Sequence, residues 1–395
     1  MTTASLYVHI PFCLGEPGAG KCDYCDFYSV SINVKDNNEL LNSYVDALLC
    51  DIEDQLAVFN IDHVPTVYIG GGTPSALGAE RIEKLLGGIR QLCKPMIHAP
   101  SEITIEANPE SAGKAFLQAC IAEGVSRLSL GVQTFHEPSR QAVHRPGNMA
   151  LLEERLSLAS DFFPGGLSAD LITGLPFQAA EILSADIERL LAFKPAHISL
   201  YSLTIEPETP LGRSALFLPS ADEADLLWIT GRNLLEEAGY AQYEVSNFAL
   251  QNRACAHNMR YWRMENWLGA GPSASGTIID DSAGKGRRFT YPPNIAGYIA
   301  APRPRIKYAD VEELDRKDLI RESLLMGFRC RSGPDLNLFR KRYNICIDDC
   351  IPKTIDHWRN KGFFETPGSL SPSPEGLLFL NQFLSDAFGE LDGSL

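Results

Sequence analysis

The chain has 395 residues, 45% of them hydrophobic and 22% charged, a composition typical of a soluble globular protein with room for a large core and a second domain. Its net charge of −15 opposes non-specific nucleic-acid binding, which depends on Lys and Arg neutralising phosphates. The sequence contains neither an apolar run of about 18 residues, as a membrane span requires, nor the basic region and apolar core of a signal peptide. We therefore expect a cytoplasmic protein with reduced cysteines, no nucleic-acid partner and no membrane span. Peripheral contact with a membrane is compatible with this expectation.

Helical patterns and short apolar runs alternate along the first half of the chain. Between Lys35 and Leu56 apolar residues recur at i, i+3 and i+4, which predicts a helix with one buried face. Similar patterns predict helices over Glu80 to Cys93, Ala112 to Glu123 and Ala179 to Phe193. The predicted strands are Leu6 to Phe12, Val67 to Gly70, Glu102 to Ala107, Arg127 to Val132, Leu167 to Thr173 and His197 to Leu203. This alternation implies a parallel α/β sheet, and six units are too few for a closed eight-stranded barrel, so we expect an open, partial (β/α)6 barrel.

Polar residues stand at the C-terminal ends of these predicted strands, or within the fifth. They are Gly70 to Thr73, Glu106, Asn108, Gln133 and Asp170. Reactive groups of barrel folds gather at this end of the strands. The pattern therefore predicts one shared site.

Three cysteines near the N-terminus, Cys13, Cys22 and Cys25, suit a metal centre better than a disulfide. A [4Fe–4S] cube is normally held by four thiolates, so a cube on three of them leaves one iron open to a small chelating molecule. One alternative is a structural zinc site with His9 nearby, which requires four closed tetrahedral ligands. The other is an ordinary buried thiol at Cys13.

The stretch from Tyr7 to Cys13, followed by Cys22 to Phe27, resembles the radical S-adenosylmethionine family, and within it the branch of oxygen-independent coproporphyrinogen oxidases and heme chaperones. That branch usually has three residues between its first two cysteines, whereas eight intervene here, Leu14 to Lys21. Turn formers among them are compatible with a loop directed outward that leaves the thiolates in place. The resemblance implies a [4Fe–4S] cluster on the three cysteines, which cleaves bound S-adenosylmethionine to a 5′-deoxyadenosyl radical.

The same resemblance continues through the barrel and implies the residues that contact S-adenosylmethionine. It places the amino-acid end of the cofactor on the loop Gly71, Gly72 and Thr73, although a Gly-rich loop alone is most often a tight turn. It further implies binding by a carboxylate, an amide, an arginine, an acid near the ribose and a tyrosine, which are Glu106, Gln133, Arg145, Asp170 and Tyr7. For each polar residue alone a structural salt bridge is the alternative. Relatives often have a histidine two residues beyond the arginine, where this chain has Gly147.

Downstream, residues 241–305 form an extension rich in aromatic residues and glycine. Its segment from His257 to Trp262 resembles the HNxxYW signature of the heme chaperone subgroup. His and Cys are both suitable axial ligands for heme iron, and flanking aromatic rings suit a flat macrocycle. The resemblance favours His257 as a heme ligand, against the alternative of a core histidine with satisfied hydrogen bonds. Ser275 stands where the family commonly has histidine, so no second histidine ligand is assigned.

We divide the chain into a barrel core (1–240), the extension (241–305) and a small helical C-terminal domain (306–395). Within the last, Phe363 to Leu380 resembles the strand–turn–strand wing of a winged helix. The region from Tyr308 to Leu395 contains 11 Lys and Arg against 15 Asp and Glu, which disfavours a nucleic-acid partner.

The leading hypothesis is a heme chaperone that binds a [4Fe–4S] cluster, S-adenosylmethionine and heme and transfers heme to an acceptor. The sequence identifies neither the acceptor nor the electron donor. The main alternative is an oxygen-independent coproporphyrinogen III oxidase. Phe27 favours the chaperone, because true oxidases of this branch usually have a further cysteine at that position. A heme-degrading methyltransferase and a zinc-stabilised barrel without a redox role are the remaining alternatives.

Overall fold

The structure, a computed structural model, describes residues 2–15, 21–94, 96, 100–214 and 217–394. These residues form a large sheet whose six central strands are parallel and adjacent in chain order. The strands are β1 (Ser5–Ile10), β2 (Thr66–Gly71), β3 (Glu102–Ala107), β4 (Arg127–Gln133), β5 (Leu167–Thr173) and β6 (His197–Ser202). Each lies within two residues of its predicted range, which confirms the α/β prediction.

Helices connect the parallel strands. They are α1 (Asn38–Val58) after β1, a 3-10 turn (Pro74–Leu77) and α2 (Ala79–Cys93) after β2, α3 (Lys114–Ala122) after β3, α4 (Glu137–Ala142) and α5 (Met149–Phe162) after β4, α6 (Ala180–Leu191) after β5 and α7 (Ala221–Glu237) after β6. Of the periodic apolar positions of α1, Leu41, Leu48 and Ile52 are fully buried in the core. The helix α5 is capped at its N-terminus by Asn148, whose side chain accepts a hydrogen bond from the Leu151 amide.

Strands from the extension lengthen both edges of the sheet. Beside β6 lies β8 (Asn247–Ala249), which is antiparallel to it, and beside β8 lies β7 (Ala241–Gln242), which is antiparallel to β8. Beside β1 lies β9 (Trp267–Ala270), which is parallel to it. Antiparallel strands β10 (Ser275–Asp280), β11 (Lys285–Thr290) and β12 (Asp310–Leu314) complete that side. The barrel is open, as predicted, because β1 and β6 each pair with these added strands and not with one another.

Among the described residues, two short strand pairs lie outside the large sheet. Thr2–Thr3 pairs with Ile61–His63, and Phe12–Leu14 pairs with Val30–Ile32. The second pair carries Cys13 and therefore sets the position of the first cysteine.

The C-terminal region is helical and has its own aromatic core. The remaining helices are α8 (Ala256–Trp262), α9 (Ile295–Ala300), a 3-10 turn (Arg305–Tyr308), α10 (Arg316–Gly327), α11 (Leu336–Tyr343), α12 (Ile347–Cys350), α13 (Pro352–Asn360), α14 (Pro374–Leu378) and α15 (Leu380–Ser394). The aromatic core includes Trp358, Phe363 and Phe383. Met264 and Ile279 of the extension also belong to this core, so the domain boundaries at 240 and 305 stay predictions.

The predicted strand–turn–strand wing is limited to one antiparallel pair, Phe364 with Pro372. Its second half is helical, because Pro374 lies in the first turn of α14 and Ser373 accepts a hydrogen bond from the Gly376 amide. Among the described helices, none has both the length and the apolar character needed to cross a membrane.

Candidate functional site

A cavity of about 660 Å³ opens at the C-terminal ends of the central strands. Ten of the twelve predicted site residues line it, namely Cys13, Cys22, Cys25, Gly71, Gly72, Thr73, Glu106, Gln133, Arg145 and Asp170. Tyr7 and His257 are described but are not among the lining residues. The expectation of a shared site at this end of the sheet agrees with this geometry; the binding role of each residue stays a prediction.

The three cysteine side chains lie at one side of this cavity. Thr73 Oγ1 donates to Cys13 Sγ at 3.6 Å, and the Cys25 amide donates to the Cys22 carbonyl at 3.0 Å. Burial, assisted by the neighbouring Cys22 and Cys13, raises the pKa of Cys25 to about 11 against the opposing effects of Lys21 and of a backbone hydrogen bond at Phe27. A cationic centre would stabilise the thiolate forms together.

Within the described ranges, no three His, Cys, Asp or Glu side chains are arranged to hold a single ion. In an iron–sulfur cube, by contrast, the thiolates bind different irons. Of the predicted outward loop between Cys13 and Cys22, residues 16–20 lie outside the described residues.

Both ring nitrogens of His9, the additional zinc ligand considered above, form hydrogen bonds within the protein. Tyr7 donates to Nδ1 at 2.9 Å, and Nε2 donates to the Tyr28 carbonyl at 3.0 Å. Burial lowers the pKa of His9 and keeps the ring neutral. In this arrangement neither ring nitrogen can bind a metal.

The glycine loop after β2 is packed against the protein's own atoms. Gly71 has φ +110°, and a Cβ there would lie 2.5 Å from the His9 ring; a Cβ on Gly72 would lie 2.8 Å from the Phe12 carbonyl oxygen. The amides of Gly71, Gly72 and Thr73 donate to Glu106 (3.2 Å), Ile10 (2.8 Å) and Phe12 (2.7 Å). The glycines are thus required by internal packing, and with its amides engaged the loop offers hydrogen-bond acceptors to a ligand.

Arg145 is buried and connects the cysteine loop to two strand ends. Its Nη1 donates to Cys22 Sγ at 3.5 Å, and its Nη2 donates to the Gly131 carbonyl at 2.6 Å and to Asn108 Oδ1 at 2.9 Å. Asn108 Nδ2 in turn donates to Thr73 Oγ1 at 3.0 Å. Sequence analysis placed Asn108 at the mouth but gave it no role; its position two residues after Glu106 was the available signal.

Two carboxyl groups in the cavity are desolvated. Glu106 accepts from the Tyr68 hydroxyl at 2.7 Å, and burial raises its pKa to about 7. Asp170 accepts from Ser129 Oγ at 3.2 Å, and burial raises its pKa to about 6. A cationic ligand would stabilise both ionised forms. Tyr68 and Ser129 were not predicted, since strand patterns do not show which side chains meet across a sheet.

Gln133 carries two signs of a binding position. Its backbone has φ +69°, at an irregularity in the pairing of β4 with β5. Its Oε1 is buried and has no hydrogen-bond partner among the described residues. A buried acceptor without a partner is expected to be satisfied by a ligand or water.

His257 lies at the opposite ends of the strands. It is 0% exposed, its Nδ1 lies 2.8 Å from Thr66 Oγ1, and its Nε2 lies 2.8 Å from the Tyr261 hydroxyl. Burial lowers its pKa to about 3. Thr66 begins β2, and Glu102, which begins β3, accepts the His257 amide at 2.9 Å. Heme ligation by His257 stays a prediction that would require these hydrogen bonds to break.

Comparisons with known proteins agree with these features. The radical SAM superfamily matches residues 7–190, and the HemN C-terminal domain matches residues 314–379. Heme chaperone HemW of Escherichia coli is 32% identical over 381 residues, covering 96% of this chain and 97% of that protein. Heme chaperone HemW of Bacillus subtilis is 30% identical over 393 residues, covering 98% and 100%. Coproporphyrinogen III oxidase (HemN) of E. coli, at 22% identity, has a TM-score of 0.81 over 98% of this chain and 90% of its own.

We expect Glu106→Gln to gain stability relative to the parent as pH rises. The pKa of Glu106 is raised from 4.5 to about 7 on folding, so the folded chain takes up a proton between these values and loses stability as pH rises through 7. The difference in unfolding free energy between the variant and its parent should change by about 2 kcal/mol from pH 5 to pH 8.

Urea unfolding of protein free of cluster and cofactor measures this difference. The matched control is Glu188→Gln, on the exposed face of α6, measured at the same two pH values. A pH-independent result for Glu106→Gln would contradict the assignment.

Proposed function

The chain belongs to the heme chaperone subgroup of the radical S-adenosylmethionine family, and on that premise we propose that it binds a [4Fe–4S] cluster, S-adenosylmethionine and heme and passes heme to an acceptor. The observation that carries the proposal is the convergence of three cysteines and seven predicted cofactor contacts on one cavity. These residues come from six separate segments of the chain, so local folding alone does not bring them together.

Cys13, Cys22 and Cys25 would hold the cluster, which when reduced supplies the electron for cleaving S-adenosylmethionine. Hydrogen bonds to ligating sulfurs tune the potential of such a centre. Here Thr73 would supply one to Cys13, and Arg145 would supply one to Cys22. Arg145 thereby brings a positive charge to the thiolates.

The donor set also fits S-adenosylmethionine. Its ammonium and sulfonium groups are cationic, and the buried carboxyls Glu106 and Asp170 would balance them. The Gly71–Thr73 loop offers acceptors to the ammonium, since its amides are engaged. Gln133 Oε1 supplies an acceptor without a partner among the described residues. Tyr7 stays a predicted contact.

Heme transfer is favoured over coproporphyrinogen oxidation by the residue at position 27. Phe27 is 63% exposed at the rim of the cavity, where oxidases of the branch usually have a further cysteine. The likeness to the E. coli oxidase, at 22% identity, shows a shared fold only. A cytoplasmic location is part of the proposal, and the acceptor is a protein not named by these observations.

Alanine at Cys13, Cys22 or Cys25 should remove most of the cluster iron, because each thiolate is a required ligand. The measurement is iron and sulfide content after anaerobic reconstitution. Cys93→Ala, which changes a buried thiol on α2, is the matched control and should retain the parent's content. Full iron and sulfide in the triple variant would show that other cysteines hold the centre.

Affinity for S-adenosylmethionine should fall roughly ten- to a hundredfold in Glu106→Ala and in Asp170→Ala, since a lost charge-assisted contact costs about 1.5–3 kcal/mol. Anaerobic calorimetry on cluster-loaded protein measures the dissociation constant. Glu188→Ala, an exposed carboxylate on α6, is the control and should bind as the parent does. Unchanged affinity in both cavity variants would place the cofactor elsewhere.

The cluster-loaded parent should bind heme, release it to an apo-hemoprotein acceptor and form no protoporphyrinogen from coproporphyrinogen III. Absorption spectra follow heme, and chromatography of porphyrins follows decarboxylation under anaerobic, reducing conditions. Multiple turnovers of decarboxylation would establish the oxidase alternative. Absence of heme binding would contradict the chaperone function.

A further inference from the structure

His144 is an exposed histidine at the mouth of the cavity that the proposed function does not use. It follows α4, lines the cavity, and has a side chain that is 74% exposed. Its backbone is in the left-handed region with φ +49°, which is uncommon for a residue other than glycine. Such strain concentrates at functional positions.

The ring of His144 is oriented by a carboxylate. Nδ1 donates to Asp23 Oδ2 at 2.7 Å, so the neutral ring carries its proton on Nδ1 and its lone pair on Nε2. Within the described residues Nε2 has no hydrogen-bond partner. A carboxylate that holds one ring nitrogen while the other is open is the arrangement that supports histidine ligands to metals.

The position of this pair is fixed by neighbouring contacts. The Asp23 amide donates to the Val143 carbonyl at 3.0 Å, and the Leu211 amide donates to the Asp23 carbonyl at 2.9 Å. Arg145, the next residue, extends inward to Cys22 while His144 extends outward. The open imidazole nitrogen is thus anchored to the loop that carries two of the cysteines.

Exposed apolar side chains line the same opening. Leu14, Phe27 and Tyr201 line the cavity and are 38%, 63% and 43% exposed. Exposed apolar side chains at the mouth of a cavity mark a binding surface, and the faces of aromatic side chains suit a flat conjugated ring. The Lys21 ammonium, which donates to the Phe27 carbonyl, supplies a cation at this rim, whereas Arg145 is buried and donates to Cys22, Gly131 and Asn108.

We propose that His144 Nε2 is the axial ligand of heme iron at the mouth of this cavity, with the macrocycle against Phe27, Leu14 and Tyr201 and a propionate near Lys21. This inference rests on the proposed function, heme binding, and specifies where on the protein heme binds. The bond forms by donation of the Nε2 lone pair to iron, with release of a water ligand and no change of oxidation state. His257 contrasts with His144, since both of its ring nitrogens are engaged and its side chain is fully buried.

The test is anaerobic titration of the cluster-loaded full chain with ferric heme, followed by absorption and electron paramagnetic resonance. His144→Ala should bind heme about tenfold or more weakly and lose the imidazole-ligated spectrum, which added imidazole should restore. Its cluster iron should be unchanged. His357→Ala, at an exposed histidine of α13, is the matched control and should bind heme as the parent does.

Two further variants complete the design. Phe27→Ser should weaken heme binding without removing the imidazole-ligated spectrum, because it removes apolar contact and leaves the ligand. His257→Gln should retain that spectrum. If His144→Ala retains it while His257→Gln loses it, the ligand is His257 and the inference is overturned. If His144→Ala loses cluster iron, the residue serves the cluster and the inference is also overturned. If the parent binds no heme, the proposed function fails before either variant is compared.

Discussion

The hydrogen bonds of the buried Arg145 guanidinium are the interaction on which the arrangement of the cavity depends. A buried charge is unfavourable unless it is paired, and here a sulfur, a carbonyl and an amide oxygen accept from it. Gly131 makes room, since a Cβ there would lie 2.8 Å from Nη2. One side chain therefore fixes the cysteine loop relative to β3 and β4. A thiolate at Cys22 would complete its pairing, which would couple the charge of the proposed metal centre to the geometry of the proposed cofactor site.

The two ends of the sheet have different roles. At the N-terminal strand ends, Glu102 accepts the amides of Ala256 and His257 and pairs with Arg127 at 3.3 Å, which holds α8 against the barrel. Trp262, in the same motif, lies under the Arg329 guanidinium at 4.9 Å and thus contacts the C-terminal region. In this structure the HNxxYW residues pack the barrel against the C-terminal region. The side chains that are available to a ligand lie at the C-terminal ends of the strands, about 20 Å away along a six-residue strand.

Sequence patterns located the strands because buried parallel strands are continuous apolar runs, and these are visible locally. Site residues at strand ends, such as Glu106 and Gln133, could be predicted for the same reason. Partners such as Tyr68, which donates to Glu106, and Ser129, which donates to Asp170, could not, because they meet these carboxyl groups through the register of neighbouring strands, which no local pattern encodes. The hydrogen-bond partners of His257 could not be predicted either, since Thr66 is 191 positions away in sequence. His144 looked unremarkable in sequence, because its exposure and its bond to Asp23 arise only on folding.

The contact between Gly71 and the His9 ring affects how variants of this loop are to be interpreted. A methyl group at position 71 would displace the imidazole, and with it the hydrogen bonds to Tyr7 and Tyr28 that hold the end of β1. Weaker cofactor binding in a Gly71 variant would then report a rearranged first strand as readily as a blocked ligand. Side chains that enter the cavity from stable strands, such as Asp170, are the better probes of occupancy, because shortening them leaves the backbone scaffold intact.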